Sequence, residues 1–227
     1  MKSYKDLIME TLLQRAIIDN RQVVDVSDVN DSVLIAFDRA CLAMRDMYNW
    51  IWNEKSITYI TMAGRDSYPM PYGIVKGLVL EDSDGVKCAL DYVTELTATK
   101  GCPTQWTQDW QNEEIMISPA EKDANHTMTI KYYDKNVACI GARTDGNFLP
   151  TFDRTGSTAQ TTNQFLNVPE NIYDIYAMCV TTLARVYLNE GAQPSVFAAQ
   201  QAEFNTALNS LLEYAKTPFY KAQRFEI

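Results

Sequence analysis

One histidine, His126, stands in 227 residues, so a His-rich metal site cannot form and at most one imidazole base is on offer. The five cysteines, Cys41, Cys88, Cys102, Cys139 and Cys179, are odd in number and widely spaced, with no Cys-x-x-Cys. That pattern speaks against a zinc site and a disulfide framework, and it suits synthesis in a reducing compartment. No apolar run approaches the ~20 residues of a membrane span, and polar residues interrupt the first helical stretch where a signal peptide would be uniformly apolar. A Gly-rich phosphate loop, His-Glu-x-x-His and Gly-x-Ser-x-Gly are all missing. Cations are outnumbered: 20 Lys and Arg face 29 Asp and Glu, for a net charge of −9. Such a surface repels phosphate, which argues against tight sequence-independent binding to nucleic acid.

The acids do not assemble into chemistry either. Glycoside hydrolysis needs two carboxyls flanking one bond. Glu113-Glu114 and Asp82/Asp84 qualify by residue type, yet both sit where turns are expected. Consecutive strand residues also point to opposite faces. His126, between Asn125 and Thr127, reads as a surface residue entering a strand. No catalytic residue, metal or cofactor is expected.

What is present is a particular order of patterns: helical at both ends, strand-rich between. Leu7, Ile8, Leu12, Leu13, Ala16 and Ile17 define one face of a helix from Tyr4 to Asp19. After a loop over 20–26, Ser27 or Asp28 can cap a second helix. Val33, Leu34, Phe37, Cys41, Met44, Tyr48, Ile51 and Trp52 carry that helix to its aromatic end. At 24 residues it would span about 36 Å. Cys41 and Cys179 fall on helical stripes, where a thiol packs as a small apolar group.

From Ser56 the period changes to two. Ser56 to Met62 reads as a strand, and Gly64 to Pro71 as turn or extended chain, because its prolines cannot donate to a ladder. Ile74–Glu81 and Val86–Tyr92 form a hairpin around Asp82-Ser83-Asp84-Gly85, whose Asp-Gly supplies the positive φ of a tight turn. Thr94 to Lys100 is expected to be a short helical turn. Thr104–Trp110 and Glu114–Ser118 form a second hairpin, and Thr127–Tyr133 a further strand. Residues 135–166, rich in Thr, Gly, Asn and Gln, read as a long polar loop, either free on the surface or ordered by a neighbouring subunit.

Pro169 suits the first turn of a third helix, and Pro194-Ser195 open a fourth that stops near Lys216, ahead of Pro218. The expected fold is therefore α+β. Residues 1–55 plus 167–227 form a discontinuous helical bundle from the two terminal helix pairs. Residues 56–166 form an inserted antiparallel β domain, sandwich- or barrel-like. Past Pro218 the tail carries Phe219, Tyr220, Arg224, Phe225 and Ile227, residue types that dominate binding hot spots. It either packs on its own bundle or docks into a partner.

Several phrases in this order resemble the head-to-tail connector, or adaptor, proteins of short-tailed bacteriophages, the family of tail tubular protein A. They are Met47-Tyr48-Asn49-Trp50, Gly64-Arg65-Asp66-Ser67-Tyr68-Pro69-Met70-Pro71, and Gly101-Cys102-Pro103-Thr104-Gln105-Trp106. Ile115-Met116-Ile117-Ser118-Pro119 and Phe165-Leu166-Asn167-Val168-Pro169-Glu170 complete the set. The resemblance implies a structural virion protein at the neck, assembled in the host cytoplasm. It implies a ring of twelve copies beneath the portal protein, with further tail or adaptor proteins below. Double-stranded DNA would pass through without specific binding, and no membrane is involved. The tail Phe219, Tyr220, Arg224, Phe225 and Ile227 would then dock on the portal. The competing expectation from another class is a tail-associated, cell-wall-degrading glycosidase.

Overall fold

A computed structural model describes residues 1–13, 29, 31–122, 125–141, 143, 146–154, 162–190 and 193–215. The fold is mixed α+β, with four α-helices and a seven-stranded sheet among the described residues. The chain divides into two compact units, Met1–Asn49 with Asn136–Ile227, and Trp50–Lys135.

In the first unit, α1 (Tyr4–Leu13) opens on a reciprocal cap. Ser3 donates through its backbone N–H and its hydroxyl to Asp6 Oδ2, at 3.0 and 2.8 Å, while Asp6 N–H donates back to Ser3 Oγ. Two orphan donors of the first turn are satisfied this way. Helix α2 (Asp31–Met47) buries Val33, Leu34, Phe37, Ala40, Cys41 and Met44. Helix α3 (Glu170–Leu188) packs against α1, α2 and also α4 (Pro194–Ala215). Its central position explains why every residue from Cys179 to Val186 is buried. In contrast, α4 buries only the stripe Phe204, Ala207 and Leu211. Each fully buried Leu or Phe in these seams contributes about 1.5–3 kcal/mol.

Three expectations about the helices change. The second helix spans 17 residues rather than 24, ending at Met47. Trp50 adopts φ −60°, ψ 127° before a 3₁₀ turn at Ile51–Asn53, and its ring stacks on Trp52 at 4.6 Å. The extended Trp50 and the 3₁₀ turn after it end the helix, although the apolar spacing continues. Pro169 is the cap of α3 and not its first turn, with ψ 147°. The rest of the expected first helix, the Ser27/Asp28 cap and the stop at Lys216 lie outside the described residues.

The segment 135–166 is not one long loop. Strands β8 (Ala138–Ile140), β9 (Phe148–Leu149) and β10 (Gln164–Leu166) form a three-stranded sheet in the order β10-β8-β9. Phe152 stacks on Tyr4 at 4.2 Å and lies 6.0 Å from Phe37. Polar composition conceals short apolar pieces here, and these pieces join the helices: 136–166 belongs to the helical unit.

The second unit is the large sheet, ordered β1-β7-β3-β4-β5-β6-β2. Its strands are β1 (Glu54–Ile60), β2 (Ser67–Pro69), β3 (Gly73–Glu81), β4 (Lys87–Tyr92), β5 (Gln105–Asp109), β6 (Glu114–Ser118) and β7 (Thr127–Asp134). Alternation places Ile115 and Ile117, and Met128 and Ile130, on the inner face beside Tyr68, Leu78, Leu80, Leu90 and Trp106. Asp82 Oδ1 accepts from the N–H groups of Asp84 and Val86, each at 2.9 Å, and Gly85 takes φ +80°, which closes the β3–β4 turn. The expected extended stretch at 64–71 contains the edge strand β2, where Pro69 costs no ladder bond toward solvent.

The sheet is not purely antiparallel. Strands β4 and β5 run parallel, in the register Asp91–Gln105 and Tyr92–Trp106. The connection after Tyr92 must therefore cross back. It does so without the expected helical turn at 94–100. Gln105 Oε1 instead accepts from the N–H groups of Thr97 and Ala98.

Candidate functional site

The residues predicted to dock a partner, Phe219, Tyr220, Arg224, Phe225 and Ile227, lie outside the described residues. Their anchor, α4, does not. Arg185 on α3 reaches across to Glu203 on α4 at 2.8 Å, and Asn189 Nδ2 donates to Gln200 Oε1 at 2.6 Å. On the other flank of α3, the Arg39 guanidinium of α2 lies 4.4 Å from the Tyr187 ring centroid and pairs with Glu190 at 3.3 Å. These polar clasps fix two of the central helix's three neighbours, α2 and α4. The outward side of α4 carries the exposed Ala198, Ala199, Ala202, Asn205, Thr206 and Asn209, with one carboxylate, Glu213, near its end.

The aromatic phrase at the end of α2 separates into two roles. Met47 and Tyr48 are exposed at 38% and 41%, whereas Trp50 is buried at 4%. Of the four residues of that phrase, Trp50 alone is withdrawn from the surface.

The candidate acids do not converge. Asp82 is spent on its own turn. Glu113 takes φ 55° in the β5–β6 turn, and Glu114 begins β6 opposite Asp109. Asp109 accepts from Gln111 N–H, Asn112 N–H and Asn112 Nδ2, and these bonds, led by the Asn112 side chain, hold its carboxyl below the usual range. Among the described residues, no three His, Cys, Asp or Glu side chains could together hold a metal ion.

His126 is not a surface residue. Its side chain is 14% exposed, and Nδ1 lies 3.3 Å from Oε2 of the buried Glu121. Sequence reading missed this pair because Glu121 sits in a polar stretch after Pro119. It is buried because the connection folds against Thr61, whose N–H donates to the His126 carbonyl at 2.8 Å. A second missed pair is Lys55 on β1 with Asp134 on β7, at 2.6 Å, the carboxylate 1% exposed. No spacing rule announces it, since the partners lie 79 residues apart and meet only through the ladder.

Buried ionisable groups elsewhere serve packing. Burial raises the Tyr4 hydroxyl well above its ordinary value, with the nearby Asp38 carboxyl adding to the effect. Asp38 is itself raised by burial, against the pull of Arg154 at 3.6 Å. Burial pushes the Cys179 thiol up to about 12 and raises Cys41 as well. Cys88 and Cys102 are exposed. No helix among the described residues is long and apolar enough to cross a membrane. No protein-family model matches the chain, and no curated protein matches it.

Proposed function

We propose that this chain is a structural virion subunit, a ring-forming adaptor that joins a portal to a phage tail around the DNA exit channel. The observation that carries the reading is the joining of the chain's two ends in one helical unit, with the large sheet between them in sequence. A helical wall whose chain carries an inserted sheet unit is what the resemblance implies. Helix α3, held from three sides, supplies a rigid centre for such a wall, and the small and amide side chains along the outer side of α4 suit close packing on a neighbour. Ring closure needs heterologous contacts, so two different faces of the unit meet at each joint.

The finer arrangement follows from this reading. The two terminal helix pairs form the bundle that builds the ring, and the sheet unit faces later tail components. Phe219, Tyr220, Arg224, Phe225 and Ile227 dock on the portal. Twelve copies at −9 each bring about 108 negative charges to the assembly, against one phosphate per ~1.7 Å of duplex axis. Acids lining the channel would keep the passing DNA from adhering.

The experiment is truncation after Lys216, followed by co-sedimentation with purified portal rings. The adaptor reading expects a folded chain, by circular dichroism, that no longer sediments with the portal. Undiminished attachment by the truncated chain would refute the docking role of the tail.

A further inference from the structure

The large sheet consists of two antiparallel blocks. One is β1-β7-β3-β4, and the other is β5-β6-β2. A continuous antiparallel ladder runs through each block: Glu54–Tyr133 through Ile60–Thr127 in the first, Gln105–Ser118 through Asp109–Glu114 in the second. The junctions between the blocks are of another kind. On one side stands the parallel β4–β5 contact, in the register Asp91–Gln105 and Tyr92–Trp106. The other side is the gap between the edge strands β1 and β2, which share no ladder although they are consecutive in the chain.

Two tyrosines bridge that gap. Tyr59 on β1 donates through its hydroxyl to the Pro69 carbonyl on β2, at 3.1 Å. Tyr68 on β2 accepts from Met62 N–H at 3.4 Å, and the two rings lie 5.9 Å apart. Their anchoring is unequal. Tyr68 is 1% exposed in the shared core, whereas Tyr59 packs against that core from the rim. The intervening residues 61–66 are tied down at both ends. Thr61 exchanges backbone bonds with Asn125 and His126, Gly64 N–H donates to the Glu121 carbonyl at 2.7 Å, and Ile117 N–H donates to the Asp66 carbonyl at 2.8 Å.

We propose that the sheet unit is a two-block clamshell that opens along the β1–β2 seam, with the β4–β5 contact as its hinge and Tyr59 as its catch. Ladder bonds break cooperatively along a strand, so separation follows the lines where they are fewest. Opening there parts the two blocks and strips the smaller, three-stranded one of its core cover, so its short ladders fray ahead of those of the larger block. It uncovers the inner face carrying Tyr68, Trp106, Ile115 and Ile117. The short connection 61–66, bonded at Thr61 to the residues leading into β7 and at Asp66 to β6, joins the two edges, so the seam recloses on the same partners.

Hydrogen exchange by mass spectrometry on the intact chain tests this. Backbone amides of 105–109 and 114–118 are expected to exchange together, at least about tenfold faster than those of 73–81 and 127–134. The Tyr59→Phe variant keeps the ring and deletes the catch. It should accelerate the first group a further three- to tenfold or so, the worth of one hydrogen bond, and leave the second unchanged. Equal exchange in both blocks overturns the proposal, because the sheet then opens as one. So does a Tyr59→Phe variant that shifts neither group, or shifts both alike.

Discussion

The Tyr173 hydroxyl of α3 donates to the backbone carbonyl of Lys2 and accepts from Leu166 N–H at 3.3 Å. One side chain thus ties the first residues of the chain to its last third, 171 positions away. Burial raises the Tyr173 hydroxyl above its ordinary value and keeps it a donor at all physiological pH.

Removing that oxygen tests the union of the two ends. Tyr173→Phe keeps the ring and strands a buried N–H and a carbonyl, at a cost of about 1–3 kcal/mol. Denaturant unfolding should show the loss, and hydrogen exchange should place it in α1 and α3. Unchanged stability with unaltered exchange in α1 would mean that the bond contributes nothing to joining the termini.

Lys55→Ala removes the ammonium from the buried Asp134 carboxylate and should destabilise the sheet unit by about 3–5 kcal/mol. Replacing Asp134 by Asn together with Lys55 by Met should recover most of that loss, because no buried charge then remains. Urea titrations of both variants decide the matter. A single variant as stable as the parent would show the pair to be dispensable.

Gly73 lies where β3 meets the end of β7, and a Cβ there would stand 2.2 Å from the Tyr133 carbonyl oxygen. Backbone cannot yield as a flexible side chain does. Gly73→Ala should therefore cost about 1–3 kcal/mol and disturb the Gly73–Asp134 register. Thermal unfolding and amide shifts of 131–134 report both effects.

The thiols give a pH prediction. Iodoacetamide at pH 8 should label Cys88 and Cys102 in the folded chain and spare Cys41, Cys139 and Cys179. Burial raises the folded pKa of Cys179 from 9.0 to about 12 and that of Cys41 well above 9.0. The folded state holds these thiols protonated more tightly than the unfolded chain does. Their contribution is complete below pH 9 and is lost as pH rises from 9 toward 12. Stability of Cys179→Ala, relative to the parent, should accordingly improve as pH rises through that window, by urea titration at pH 8 and 10.5.

Much of this architecture was legible in the sequence, for identifiable reasons. The strands β3 to β7 follow period-two alternation and the Asp-Gly turn, signals that survive without tertiary context. Local pattern does not encode the return path after Tyr92, which makes β4 and β5 parallel. Nor does it reveal that Phe152, set in polar chain, completes the aromatic packing of Tyr4 and Phe37. The overlong second helix shows the converse failure. The apolar spacing of Tyr48, Ile51 and Trp52 continues a helical period, but Tyr48 belongs to one unit and Ile51 and Trp52 to the other. Glu121–His126 and Lys55–Asp134 were invisible because each is made by folding alone.

The most direct test of the adaptor reading is averaged electron microscopy of the purified chain mixed with portal rings. The account predicts closed rings of this chain, twelve to a turn, stacked coaxially on the portal with the sheet units directed away from it. Portal rings that remain bare beside a monomeric chain, at concentrations well above those of assembly, would contradict it.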